Sequence, residues 1–130
     1  MTNATRVLRV LTFLGGALLV VIGIRFFLIP EHAARIFGIR TAGSGFELHN
    51  VIAARDVWLG LLAIGLAWLK EWRALALWFA LGFFVCLADA AVVVSSGGKA
   101  GPISFHLSGA AMCVVLGWLS VRAAHEAARR

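Results

Sequence analysis

The chain has 130 residues, of which 62% are apolar and 14% charged, with a formal net charge of +6. Soluble domains carry about a quarter charged residues, so this composition excludes an ordinary water-soluble core and points to a bilayer. The positive charge does not indicate a nucleic-acid partner. The basic residues sit at the ends of apolar runs, where lipid headgroups and topology account for them, and no basic stripe interleaves with stacking aromatics.

A single domain over residues 1–130 is expected, all-α in class. Four apolar runs occur in order, at about 7–29, 50–69, 74–94 and 102–121. Each is close to the ~20 residues that cross ~30 Å of hydrocarbon. Helix is the required form, because backbone groups facing lipid must be paired within their own segment. The expected fold is therefore an integral membrane bundle of four transmembrane helices.

The first run follows Arg6 and Arg9 and so resembles a signal peptide. It reaches Ile29 without a convincing small-residue cleavage site, and it exceeds the ~7–15 apolar residues of a signal, so we read it as a retained helix. Pro30 stops it, since proline lacks the amide donor and clashes with the preceding turn. Residues 31–38 mix polar and apolar side chains at helical spacing, which predicts a short interfacial helix ended by Gly38. A flexible Thr41-Ala-Gly-Ser-Gly45 stretch leads to Phe46 and Glu47, and Asn50 is placed to cap the second run. Lys70-Glu71-Trp72-Arg73 forms a polar hinge, and 95–102 is a turn-rich connection to the fourth run.

Four crossings put both termini and the hinge on one side. That side holds Arg6, Arg9, Lys70, Arg73, Arg122, Arg129 and Arg130, against Arg35, Arg40 and Lys99 on the other. The positive-inside rule then predicts both termini in the cytoplasm, with the chain in the bacterial inner (plasma) membrane. Trp68, Trp72, Trp78 and Trp118 fall near the cytoplasmic ends, as an aromatic belt would. Cys86 and Cys113 lie in separate apolar runs without a metal or redox spacing. They are expected to be reduced, unlinked and packed as small apolar residues; the sharper alternative is a disulfide or redox pair.

The polar residues inside these runs share one depth. At ~1.5 Å per residue, Arg25 and His106 lie ~6 Å in from the outer ends of their helices, and Arg55, Asp56 and Asp89 lie ~8 Å in. A charge in hydrocarbon costs at least ~2.5–3.5 kcal/mol on the insertion scale, so such groups are expected to turn inward and meet. Facing agrees. His49, Ala53, Asp56 and Gly60 share a stripe, as do Gly82, Cys86 and Asp89, and His106, Gly109, Cys113 and Gly117. The small residues on these stripes let helices approach and close a floor beneath the charges.

Two carboxylates in different settings can divide into an acid and a base, with His106 as a proton shuttle. Arg cannot act as an acid, but it can clamp a carboxylate through two parallel hydrogen bonds. The candidate catalytic residues are therefore Asp56, Asp89, His106 and Arg55. Arg25, His49, Glu47 and Trp58 are candidates for substrate binding, and no metal site is expected. The competing reading is a helix clamp in which an Arg pairs with Asp56 or Asp89 and nothing more.

At these residues the chain resembles the DUF4267 family. The resemblance rests on Ala-Ala-Arg55-Asp56-Val-Trp-Leu-Gly60-Leu, on Ala88-Asp89-Ala90, on His106 with small residues after it, and on Pro30-x-x-Ala-Ala-x-x-Phe-Gly38. It covers most of the chain and departs at Ala54, where the family pattern leads us to expect Gly. It implies a small four-helix integral membrane protein, links Arg55, Asp56, Asp89 and His106 as a set, and supplies no reaction.

Three functions compete. The first is a membrane-embedded isomerase, cyclase or epoxide-opening enzyme on a small lipophilic molecule, needing only an acid, a base and an apolar pocket. No cofactor is expected; the variant is a non-covalent haem on His106 or His49, since no Cys-x-x-Cys-His is present. The second is an oligomeric proton-coupled transporter, against which the sparse polarity of the inner half argues. The third is an accessory subunit in which the charges only hold helices together. Expected partners are the lipid bilayer, a small lipophilic ligand and, for the transporter, further copies of the chain.

Overall fold

The computed structural model describes residues 2–39 and 47–129. Among these, five helices and no strand occur: α1 (Asn3–Leu28), α2 (Pro30–Phe37), α3 (Glu47–Leu69), α4 (Trp72–Ser95) and α5 (Ala100–Ala128). All but α2 are long and apolar enough to cross a bilayer. The short helix between the first two spans is the one expected from residues 31–38. Arg40, the Thr41–Gly45 stretch, Phe46 and Arg130 lie outside the described residues.

The helices overrun the apolar runs for local reasons. α1 starts at Asn3 because the Thr2 side chain accepts the Thr5 amide and caps the first turn. α3 starts at Glu47, so Asn50 sits inside the first turn and is not the cap expected above. The Glu47 carboxylate instead lies where the helix dipole favours a negative charge. α5 runs on to Ala128 because Arg122-Ala-Ala-His-Glu-Ala-Ala is built largely of strong helix formers. Pro30 both terminates α1 and occupies the first position of α2, where its missing amide is not needed. Gly38 closes α2 at φ 98, a left-handed conformation that favours glycine. A Cβ there would also come within 2.6 Å of Pro102 Cβ and 2.8 Å of Val93 Cγ1, so the end of α2 lies tightly against α4 and α5.

The long helices associate as two antiparallel pairs, α1 with α3 and α4 with α5, with sparser contact between the pairs along α1–α5 and α3–α4. In the first pair Gly16 and Gly23 of α1 face Gly60 and Ala53 of α3 at backbone-contact distance. In the second, Gly82, Gly109 and Gly117 receive Cys113, Cys86 and Phe79 from the opposite helix. These are the small-residue contacts by which membrane helices approach closely. All four long helices meet at the hinge end through Leu8, Ala67, Trp72, Leu75, Phe79, Leu116 and Ala123. At the other end Phe26, Ala33, Ala34 and Ala53 pack α2 onto α1 and α3.

Thr2 Oγ1 donates to Glu126 Oε2 at 3.2 Å, so the start of α1 and the end of α5 lie together, as four crossings require. Val7, Leu14, Leu18, Leu61, Leu77, Phe84, Val114 and Val115 are exposed along the flanks, an apolar surface suited to lipid tails. Two of the four tryptophans assigned to a belt, Trp68 and Trp118, are exposed. Arg9 and Arg122 lie over those two rings, at 5.7 and 4.9 Å from the centroids. Trp72 departs from the belt reading: it folds into the core where the hinge brings α3 and α4 together.

Candidate functional site

The buried stripe of α3 is Ala53, Asp56, Gly60, Ala63 and Ala67. Its small members seat α3 on α1, and the same stripe carries Asp56 inward, leaving it 3% exposed. Arg55 is the next residue round the helix and reaches the neighbouring pair. Its Nε donates to Asp56 Oδ1 at 2.9 Å. Its Nη1 and Nη2 donate to Asp89 Oδ1 and Oδ2 at 3.0 and 3.1 Å. The fork to Asp89 is the bidentate geometry that makes Arg–carboxylate pairs strong and directional. It bridges the thinly packed α3–α4 seam at the end away from the 70–73 hinge.

His106 is buried on α5, and its Nε2 lies 3.3 Å from the Phe37 carbonyl oxygen. The Phe37 ring covers the imidazole at 4.4 Å between centroids. Phe37 also meets Phe26 at 5.8 Å, and Phe26 meets His49 at 6.1 Å. An aromatic row therefore crosses α3, α1, α2 and α5. Asp56 lies within electrostatic reach of both Asp89 and His106.

Of the residues named from sequence, Arg55, Asp56 and Asp89 are joined by hydrogen bonds, and His106 has a separate partner on α2. Other candidates are not brought to the ion pair. Arg25 is half-buried on α1 and makes no ion pair among the described residues. Glu47 is exposed at the start of α3. Trp58 is 56% exposed, because two residues on from Asp56 the helix has turned to its outer side. His49 packs beside Phe26 in the first turn of α3. Two open clefts lie elsewhere, one lined by Arg73, Val121 and His125 and the other by Pro30, His32 and Arg35. To bind haem iron through Nε2, His106 would have to give up the Phe37 carbonyl.

Phe37 is the residue that sequence reasoning missed. Its signal was present in Ala-Ala-x-x-Phe-Gly38: a short helix that buries its alanines and ends at a left-handed glycine carries its last aromatic over the neighbouring helix. In the half nearer the hinge, the Thr12 and Ser120 hydroxyls donate to Leu8 and Leu116 carbonyls of their own helices, at 2.8 and 2.7 Å.

A family model described as Domain of unknown function (DUF4267) matches residues 16–120, a span that contains Arg55, Asp56, Asp89 and His106. No curated protein and no solved structure matches the chain.

Proposed function

The chain belongs to the DUF4267 family, and from that premise we propose that its outer half binds a small lipophilic molecule and exchanges protons with it. The observation that carries this reading is Asp56: a carboxylate 3% exposed, held by one guanidinium nitrogen through Oδ1, with a buried histidine from another helix in electrostatic reach. The formal charges of Arg55, Asp56 and Asp89 sum to −1, so a proton on Asp56 or His106 brings the set to neutrality. Arg55 and Asp89 position; Asp56 and His106 are the proton-handling pair. An isomerisation, cyclisation or epoxide opening requires no more than such an acid and base in an apolar setting.

The test is to purify wild type, Asp56→Asn and His106→Gln and to extract each for mass spectrometry of small molecules. Wild type is expected to release one lipophilic compound in excess of an unrelated membrane protein. Both variants are expected to lose it while keeping the wild-type unfolding midpoint. Retention of the compound by both variants, or its absence from wild type, ends the proposal.

One observation favours a second reading. Arg55 spends all three of its nitrogens on two carboxylates, which is what a clamp between helix pairs in an accessory subunit would do. On that reading Asp56→Asn and His106→Gln change no bound molecule. A transport path draws less support, because Thr12 and Ser120 are occupied by their own helices and offer no polar steps to the inner face.

The inner-membrane setting with both termini cytoplasmic belongs to the same proposal, on the distribution of basic residues. In a variant carrying Cys86→Ala, Cys113→Ala and Lys99→Cys, residue 99 is expected to react with an impermeant maleimide added to intact cells. Reaction only after permeabilisation would reverse the orientation.

A further inference from the structure

Cys86 and Cys113 are both free. The structure places them on the facing sides of α4 and α5, which their positions in separate apolar runs did not require. Phe79 Cβ lies 3.4 Å from where a Cβ on Gly117 would stand, so these two residues are level in the antiparallel pair. Cys113 is then level with residue 83, and the two cysteines are offset by three residues, or ~4.5 Å along the axes. Each Cβ leans toward the N-terminus of its own helix. In an antiparallel pair those ends are opposite, so these two side chains lean toward each other. The contacts agree: Cys86 Sγ lies 3.2 Å from the Cβ position of Gly109, and Cys113 Sγ lies 3.4 Å from that of Gly82. The two glycines clear the space in which both sulfurs sit. An axial offset of ~4.5 Å leaves lateral room within the ~4.4–6.8 Å Cα separation of disulfides.

The surroundings define what can react there. Cys86 is one turn below Asp89 on the same face of α4, and Cys113 packs against the core that contains Phe79 and Leu116. Both thiols lie well inside apolar spans, so a charged, water-borne oxidant has no favourable route to them. A dithiol and a disulfide are both neutral, so the pair can change redox state here without leaving a charge in hydrocarbon.

We propose that Cys86 and Cys113 form a redox-active dithiol that closes to an interhelical disulfide by reducing a lipid-soluble acceptor of the quinone class. Two S–H bonds break and one S–S bond forms. The two electrons and two protons pass to the acceptor, whose two carbonyl groups become the two hydroxyls of a quinol. The closed form staples α4 to α5 directly beneath the Arg55–Asp89 pair.

The test uses wild-type protein in lipid vesicles, fully reduced, with a short-chain ubiquinone analogue as probe. The expected result is one quinol formed per chain, an intact mass lower by two hydrogen atoms, and a linked peptide pair containing Cys86 and Cys113. Cys86→Ser and Cys113→Ser are each expected to abolish quinol formation while remaining helical. Both serine variants are expected to keep the lipophilic compound of the acid–base test, which separates this inference from the reading above. Thiols that remain fully alkylatable after quinone treatment would overturn it. So would linkage only between separate chains, a stable quinone adduct on one cysteine, or closure by oxidised glutathione as fast as by the quinone.

Discussion

Arg55→Leu is expected to destabilise the folded bundle by about 3–5 kcal/mol, the cost of removing one partner from a buried ion pair. The substitution keeps an apolar side chain at the seam but strips the counter-charge from two carboxylates at once. Asp56 then stands with a side chain 4% exposed and no cation, and Asp89 with one 16% exposed. Asp89→Leu should cost less, because Arg55 keeps Asp56 and its own side chain, 31% exposed, is the most accessible of the three. Adding Asp89→Leu to Arg55→Leu should recover part of the loss, since the double variant leaves one buried carboxylate uncompensated rather than two. Asp56→Asn in the triple variant should recover most of the rest, because its amide oxygen and nitrogen carry no charge into hydrocarbon. The measurement is unfolding in mixed micelles, read by circular dichroism, as a double-mutant cycle. Losses from Arg55→Leu and Asp89→Leu that simply add would mean that the two residues do not hold the α3–α4 seam together.

The bound molecule, and not the stability cycle, separates the two readings of the site. A clamp and a proton-exchanging pocket both require Arg55 and Asp89 for stability. Only the pocket requires Asp56 and His106 for a bound molecule. Asp56→Asn retains an acceptor for Arg55 Nε, so it removes the charge and leaves the hydrogen bond in place.

The sequence made Arg55, Asp56 and Asp89 legible through depth. Charges are expensive in hydrocarbon, and residues of two helices at one level have only each other to turn to. The same argument placed His106 at that level but not its partner, because Phe37 arrives from α2, outside the spans whose depth can be counted. Arg25 shows the opposite limit. Its depth matched the cluster, yet α1 turns its glycine stripe to α3, and Arg25 lies off that stripe. Local geometry decided two others: Trp58 lies on the exposed side of α3, and Asn50 is not a cap because it sits inside a helix that starts three residues before it. The pairing of helices was only half legible. Glycine stripes marked which faces would be close, but nothing in their spacing said that α1 would choose α3 and α4 would choose α5. Nor did it show that one arginine would carry the join between them at the end away from the hinge.

Gly60→Ala is expected to destabilise the bundle through a single added methyl. A Cβ on Gly60 would collide with the Gly16 carbonyl oxygen and come within 2.9 Å of Val20 Cγ2 and 3.0 Å of the Val20 amide nitrogen. Two of those three atoms are backbone, so no side-chain rotation relieves the clash, and α1 must move away from α3. Overpacking of this kind costs about 1–3 kcal/mol, and more where the backbone resists. The displacement also reaches the site, because Gly60 is one turn from Asp56 on the same stripe and the α1 contact is what seats that stripe. Gly23→Ala should behave similarly, since its Cβ would meet the Ala53 carbonyl oxygen at 2.6 Å. Gly65→Ala is the control on the same helix: nothing stands within 4 Å of its Cβ position, and alanine is favoured over glycine in a helix by up to about 1 kcal/mol. Unfolding midpoints in detergent should therefore fall for Gly60→Ala and hold or rise for Gly65→Ala. Equal midpoints for the two would show that backbone contact between α1 and α3 is not what holds Asp56 inside the bundle.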